Sequence, residues 1–379
     1  MAPDPLLVVG SVVGALSILC WIAVAIRGDR AWDLRPVAED EPEPPPPGAW
    51  PAVAIIVPAR NEAASLPRTL PALLAQEYPG ARRVIVVDDR STDGTGDVAR
   101  SLGAEVVSGK ELPEGWVGKV WALHQGATAT TEPLLLLTDA DILHAPGSLR
   151  RLAAESEAGA LALNSRMARL RCESPAEKLL IPPFVWFFGL LYPMKLVNRA
   201  EDPTAAAAGG CILLRRDALD RAGGFESIRG EIIDDVNLAR RVKSAGGPLR
   251  LSHSRDQVRS LREYGTLGPV WKMVRRTAFT ELKRSRLRLV GTMVAMTLMF
   301  VAPPVLLAGG GLLATLDRTY LPPAILGFAA WAMMANLHRP AVRHFGLLDA
   351  RALLLPLAGV LYAFMTLDSA VRGGKGDWR

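Results

Sequence analysis

The chain has 379 residues, 50% of them hydrophobic, and a formal net charge of +6, so it can hold one large domain plus membrane segments. Three cysteines far apart in sequence exclude a disulfide framework and a cysteine metal site. The basic residues gather at the ends of apolar runs without a finger or helix-turn-helix pattern, which argues against nucleic acid as a partner.

Residues 6–26 are apolar and uncharged, long enough for a bilayer span of about 20 residues. The start Met-Ala-Pro-Asp-Pro-Leu has no basic n-region, and no Ala-x-Ala-like site closes the run. An uncleaved anchor over 1–27 is therefore expected rather than a signal peptide. Residues 28–50 follow as a linker, stiff, acidic and proline-rich at 39–47. A catalytic domain is expected over 51–282, and a membrane bundle with a tail over 283–379.

The linker gives way to alternating patterns. Residues 53–57, 83–87, 104–108 and 134–137 read as strands, with helices at 63–77, 93–102 and 117–128. Such β-α-β alternation predicts an α/β fold, a mostly parallel twisted sheet with helices on both faces. Ligands on such sheets sit at the carboxyl ends of the strands. The polar clusters at 58–62, 88–93 and 139–141 all fall there.

Asp139-Ala140-Asp141 follows a four-leucine strand. Period-two alternation would put both carboxylates on one side of the chain. Two such acids are costly there unless paired or metal-bound. They make a hard-oxygen site for Mg²⁺ or Mn²⁺ on a diphosphate. In the turn after the first strand, Pro58, Arg60 and Glu62 would line a nucleotide base and ribose. An ordinary surface turn explains them equally well. Asp88 and Asp89 can accept from a base N–H or ribose hydroxyls, whereas Asp93 reads as a helix cap. Lys119 would neutralise diphosphate charge as a point cation or be a solvated lysine at a helix start. His124, on the same helix, reads as structural.

Residues 205–214 read as a further strand, after which 232–245 form a helix with Asp234 and Asp235 in its first turn. Asp235 is the candidate general base. Asp234 would hold the helix start or an acceptor. Two acids satisfying a helix dipole is the plain alternative.

The apolar, aromatic run 179–192 reads as a core helix or an interfacial one. The interfacial placement is expected, with Trp186 and Tyr192 at headgroup level, bringing the active site to the membrane. Further spans are expected at 289–316, 321–337 and 353–367. Arg27, Arg30 and Arg35, and then Lys283, Arg284, Arg286 and Arg288, flank the middle domain and place it in the cytoplasm. His338, Arg339, Arg343, His344 and Arg351 would form an inner loop. Four spans then leave Arg372, Lys375 and Arg379 outside, against the same rule.

Taken together, 58–62, Asp88-Asp89 with Ser91-Thr92-Asp93, Asp139-x-Asp141, Gly209-Gly210 and Asp235-x-x-Leu238 resemble the family 2 glycosyltransferases with the GT-A fold. The resemblance covers roughly half the chain. It implies a nucleotide-sugar donor, a divalent cation and inversion of configuration. It further implies nucleotide contacts at Asp88 and Asp89, metal at Asp139 and Asp141, and the base at Asp235. The layout of anchor, domain, Arg276-Thr277-Ala278-Phe279 segment and C-terminal bundle is similar to the bacterial hopene-associated glycosyltransferases. That similarity implies a polycyclic isoprenoid or related lipid acceptor and a bacterial inner-membrane location. Gln257-Val-Arg-Ser-Leu and Trp271-Lys272 do not complete the Gln-x-x-Arg-Trp motif of processive polysaccharide synthases. Single transfers are thus expected over polymerisation. A membrane scaffold with a degenerate nucleotide domain would have lost acidic residues that are all present here.

Overall fold

The computed structural model describes residues 4–372. The chain divides into two compact units. One holds residues 4–34, Cys172–Leu191 and 264–372; the other holds Arg35–Arg171 and Tyr192–Glu263.

The second unit is built on a seven-stranded sheet. Its strands are β1 (Val53–Ala59), β2 (Arg82–Asp88), β3 (Glu105–Ser108), β4 (Leu134–Thr138), β6 (Leu163–Met167), β7 (Cys211–Arg215) and β8 (Leu249–His253), in the order β3-β2-β1-β4-β7-β6-β8. A small separate ribbon pairs β5 (Ile142–His144) with β9 (Val258–Ser260). Pairings β1–β2, β1–β4, β2–β3 and β6–β8 are parallel, while β7 runs antiparallel to β4 and β6. The expected mostly parallel α/β sheet is therefore present.

All of β1 is buried, as a strand covered on both faces must be. Val53, Ile55 and Val57 join Leu66, Leu70 and Leu73 of helix Leu66–Leu74 in one core. Ile56 faces the other way, toward helix Gly118–Thr128. That helix lies close to the sheet because residue 126 is glycine. A Cβ there would stand 2.5 Å from Ile56 Cγ2 and 3.0 Å from Val87 Cγ2.

Strands β5, β6, β8 and β9 carry no clear apolar alternation. β6 is Leu-Asn-Ser-Arg-Met and is buried throughout. Its Arg166 is fully buried, pairs with Glu155, and donates to Asn164 Oδ1 and Ser252 Oγ. Arg151 also binds Glu155, at 3.0 Å, so this buried polar knot is closed by complementary charges.

The expected stiff linker makes contacts of its own within the sheet unit. Val37 forms a parallel bridge with His253. Arg151 Nη2 donates to the carbonyls of Ala38 and Glu41, and Glu41 pairs with Arg250. The expected domain limit at 282 also differs from the unit, which stops at Glu263. Helix Leu267–Glu281 belongs with the apolar helices, where Trp271 Nε1 donates to Asp368 Oδ2 at 2.8 Å.

The first unit is helical. Among the described residues, five helices are long and apolar enough to cross a membrane: Pro5–Ile26, Pro175–Val197, Arg286–Leu316, Arg318–His344 and Asp349–Arg372. Four of them contain the expected spans. The run 179–192, which lies in Pro175–Val197, was expected at the interface, but Trp186 is fully buried and donates to the Leu337 carbonyl, and Tyr192 is buried too. A single complete crossing by this segment is also ruled out by topology. The chain before it forms β6 and the chain after it forms β7, hydrogen-bonded neighbours in one sheet. Of the basic tail, Arg372 ends the last helix, and Lys375 and Arg379 lie outside the described residues.

Proline is accommodated in these helices by side-chain donors. Pro303 and Pro304 leave the Met299 carbonyl without an i+4 or i+5 N–H, where the helix makes a π turn at Thr297–Val301. The Trp21 indole donates to that carbonyl at 3.2 Å.

Gly126→Ala should cost about 1–3 kcal/mol by overpacking. Thermal unfolding would show it as a lower Tm, and an unchanged Tm would mean that the helix can back away from the sheet freely.

Candidate active site

The carboxyl ends of β1 and β2 are stitched to one another by short polar bonds. Asn61, in a left-handed conformation, donates its N–H to Ser91 Oγ and accepts from the Thr92 N–H through Oδ1. The Glu62 N–H donates to Thr95 Oγ1 at 2.8 Å. Asp93 accepts from the N–H groups of Ala63 and Thr95, which fixes the turn after β1 to the next helix start. The N-cap of that helix is Gly94, so Asp93 stands one residue before the expected capping position and ties the two turns together instead.

The two acids after β2 differ. Asp88 Oδ1 accepts from the Ser91 N–H and so closes its own turn. Asp89 is 1% exposed, and its Oδ2 has no hydrogen bond. Arg60 Nη1 stands 3.5 Å from that oxygen. Burial raises the Asp89 pKa; Arg60 and Arg90 oppose it, and Asp88 adds to it. Asp89 Oδ2 thus has Arg60 beside it but no hydrogen bond, while Asp88 Oδ1 is taken up by its own turn. Pro58 sits inside β1, buried, and lines a small recess beside Lys119 and Asp139.

β4 stops at Thr138, so Asp139, Ala140 and Asp141 form a turn rather than a strand end. The Ile142 N–H closes it on the Asp139 carbonyl at 3.1 Å. The expected period-two argument does not apply there, and the two carboxylates take different partners. Asp139 Oδ1 meets Lys119 Nζ at 2.8 Å, and Asp141 Oδ2 meets Arg262 Nε at 2.8 Å. They remain electrically close. Burial raises the Asp141 pKa first, Arg262 opposes this, and Asp139 adds to it. Glu62 is raised by burial too, with Ser65 opposing and Asp141 adding. Glu62, Ser65, Arg68, Asp141, Arg262 and Glu263 border an open cleft of about 240 Å³.

Lys119 joins the distant acids. Its Nζ also reaches Asp234 Oδ2 at 3.5 Å. Burial alone would lower its pKa, but Asp139, Asp234 and Asp235 outweigh that and hold it charged. Asp234 and Asp235 open helix Asp234–Ser244, as expected. Asp235 Oδ2 accepts from the Gly209 N–H and Oδ1 from the Val236 N–H, both at 2.8 Å. A Cβ at Gly209 would stand 3.1 Å from Lys119 Nζ and 3.2 Å from Asp235 Oδ2. Burial, then the neighbouring Asp234 charge, raise the Asp235 pKa toward neutrality, against Lys119 and the two N–H donors.

Among the described residues, Glu62, Asp139, Asp141, Asp234 and Asp235 gather around Lys119 and Arg262 as the cations at the site. That surplus of negative charge suits a divalent cation at Asp139 and Asp141. Among the described residues, no group of three His, Cys, Asp or Glu side chains is placed to hold one. The two carboxylates would supply part of a shell, as in sites that hold Mg²⁺ together with substrate phosphates. Arg262 escapes sequence reasoning, since nothing local marks it among the basic residues of 255–276. His124 is structural as expected, stacked on Trp121 at 5.2 Å and 3.3 Å from Glu226.

Lys119→Met should destabilise the fold, and more so at higher pH. Without the ammonium, the clustered carboxylates have raised folded-state pKa values. Stability is then retained at low pH and lost as pH rises through those values. The Tm deficit against the native chain should shrink from pH 8 to pH 5, and a pH-independent deficit would contradict the shared-cation reading.

The family model "Glycosyl transferase family 2" matches residues 54–223. A 4,4'-diaponeurosporenoate glycosyltransferase of Staphylococcus haemolyticus is 39% identical over 93 residues, which is 24% of each chain. An uncharacterized glycosyltransferase of Mycobacterium bovis is 39% identical over 109 residues, 29% of this chain and 45% of its own. The chain thus spans less than half the length of these relatives. A mannosyltransferase from Pyrobaculum calidifontis, solved with GDP-Man and Mn²⁺, superposes with a TM-score of 0.52 at 18% identity, over 86% of this chain and 97% of that one. The fold is accordingly GT-A, and over residues 54–223 the chain belongs to glycosyl transferase family 2.

Proposed function

We propose that this protein is a membrane-bound, inverting glycosyltransferase that moves a sugar from a nucleotide-sugar donor to a lipid acceptor. The observation that carries the reading is the acidic cluster bridged by Lys119, with Asp235 held at a raised pKa beside it. Asp89, buried with an oxygen that has no hydrogen bond, suits a base N–H or ribose hydroxyl of the nucleotide, with Arg60 beside it. Glu62 borders the same region. Asp139 and Asp141 are the residues to hold Mg²⁺ or Mn²⁺, which supplies charge stabilisation of the departing diphosphate. Lys119 adds a fixed positive charge there.

Asp235 then serves as the general base. The acceptor oxygen forms a bond to the anomeric carbon as the bond from that carbon to the diphosphate breaks. The acceptor proton passes to Asp235, and the electron pair leaves with the diphosphate. One displacement of this kind inverts the configuration. The carotenoid-named staphylococcal relative and the apolar helices support a lipid acceptor, with a hopanoid or related isoprenoid among the candidates. The flanking basic residues support a cytoplasmic catalytic domain at a bacterial plasma membrane.

The test is nucleoside diphosphate release from a panel of nucleotide sugars, using purified protein with a bacterial lipid extract. Release should require Mn²⁺ or Mg²⁺, stop with EDTA, and fall by about 10²–10⁴-fold in Asp235→Asn. No release from any donor, or full activity in that variant, would overturn the assignment. A base must be deprotonated to act, so kcat/KM should rise with pH through a limb near neutrality. Asp234→Asn removes a charge that raises the Asp235 pKa and should move the limb to lower pH. Lys119→Met removes one that lowers it and should move the limb higher. Identical limbs in all three proteins would exclude Asp235 as the titrating base.

A further inference from the structure

The docked linker ends at the candidate active site by a short chain of bonds. Glu39 Oε1 accepts from three successive backbone N–H groups, those of Arg255, Asp256 and Gln257, each at 2.9 Å. The Ser254 hydroxyl donates to the same oxygen at 2.8 Å. Burial would raise the Glu39 pKa, but these donors hold it down at about 2. Asp40 pairs with Arg255 at 2.8 Å. A concave run of backbone N–H groups is an anion site, and here a carboxylate from the linker fills it.

That turn leads directly into β9. Ser254 Oγ accepts from the Val258 N–H, and the Ala145 N–H donates to the Gln257 carbonyl. β9 pairs with β5, the strand that begins right after Asp141. The Leu261 N–H then donates to the Asp141 carbonyl at 2.8 Å, and Arg262 binds the Asp141 carboxylate. Asp141 is thus gripped at main chain and side chain by residues whose position depends on the turn that Glu39 holds.

We propose that Glu39 is a positioning residue for the reaction: through turn 254–257 and β9 it sets Leu261 and Arg262 on Asp141, and so fixes the carboxylate toward the cation and diphosphate. The assignment rests on the transferase reading above. The linker is then part of the site's supporting structure rather than a spacer. Removing a group that orients a metal-binding side chain commonly costs about 10–100-fold in metal affinity or activity.

The test uses the full chain in detergent. Binding of the Mn²⁺ complex of a nucleoside diphosphate is measured by calorimetry, and exchange of the 258–262 amides by hydrogen–deuterium exchange. Glu39→Gln keeps the shape and removes the charge; it should weaken binding about tenfold and speed exchange at 258–262. Arg262→Gln should weaken binding comparably, and the double variant no further, because both act on Asp141. Glu43→Gln breaks an exposed pair with Arg150 on the same linker and should change neither readout. Unchanged binding in Glu39→Gln, or fully additive losses in the double variant, would overturn the proposal while leaving the transferase reading intact. A native chain that binds no nucleoside diphosphate would overturn both.

Discussion

One ammonium holds the candidate site together. Lys119 stands between Asp139, at the end of β4, and Asp234, at the start of a helix nearly a hundred residues further on. Without it, three or more carboxylates would face one another in a partly desolvated recess, which physics forbids at neutral pH unless they take up protons. The surrounding structure serves that placement. Gly126 lets the lysine's helix settle onto β1 and β2, and Gly209 leaves room where Lys119 and Asp235 meet. The same balance leaves Asp235 with a proton affinity suited to its proposed task.

The second organising feature is buried polarity held by complementary charges. Glu155 sits among Arg151, Arg166 and Asn164, and Arg151 reaches on to the linker carbonyls. These groups have left water, so each is tolerable only with its partners in place. The consequence is a sheet edge and a linker that depend on each other. Glu39 extends this logic to the turn before β9, where four donors converge on one oxygen.

The helical unit solves a different problem, the satisfaction of backbone groups where water is scarce. Prolines interrupt several of its helices, and indole donors meet carbonyls among them, as Trp21 does at Met299 and Trp186 at Leu337. Small residues let helices approach closely; a Cβ at Gly14 would stand 2.7 Å from Leu326 Cβ. Trp186 illustrates why an aromatic residue in an apolar run is ambiguous. Headgroup level and bundle core both suit an indole, and only the presence of a buried carbonyl partner selects the second.

The sequence alone determined the central sheet, because β1, β2 and β4 are apolar runs punctuated by polar turns, and a run buried on both faces has few other uses. It also placed the acidic clusters at strand ends and at a helix start, since period and capping are local properties. Tertiary structure decided the rest. Asp139 and Asp141 lie in a turn and split between Lys119 and Arg262, a choice set by residues 20 positions before the turn and 121 after it. Asp88 and Asp89 look alike in sequence and differ only in which one its own turn consumes. β6 reads as polar because its partners, Glu155 and Ser252, are supplied by other elements. The linker reads only as a stiff connection because the N–H groups that capture Glu39 come from a turn more than two hundred residues away. Local pattern reports what a segment can bury; which charges meet is settled by the fold that brings distant segments into hydrogen-bonding range.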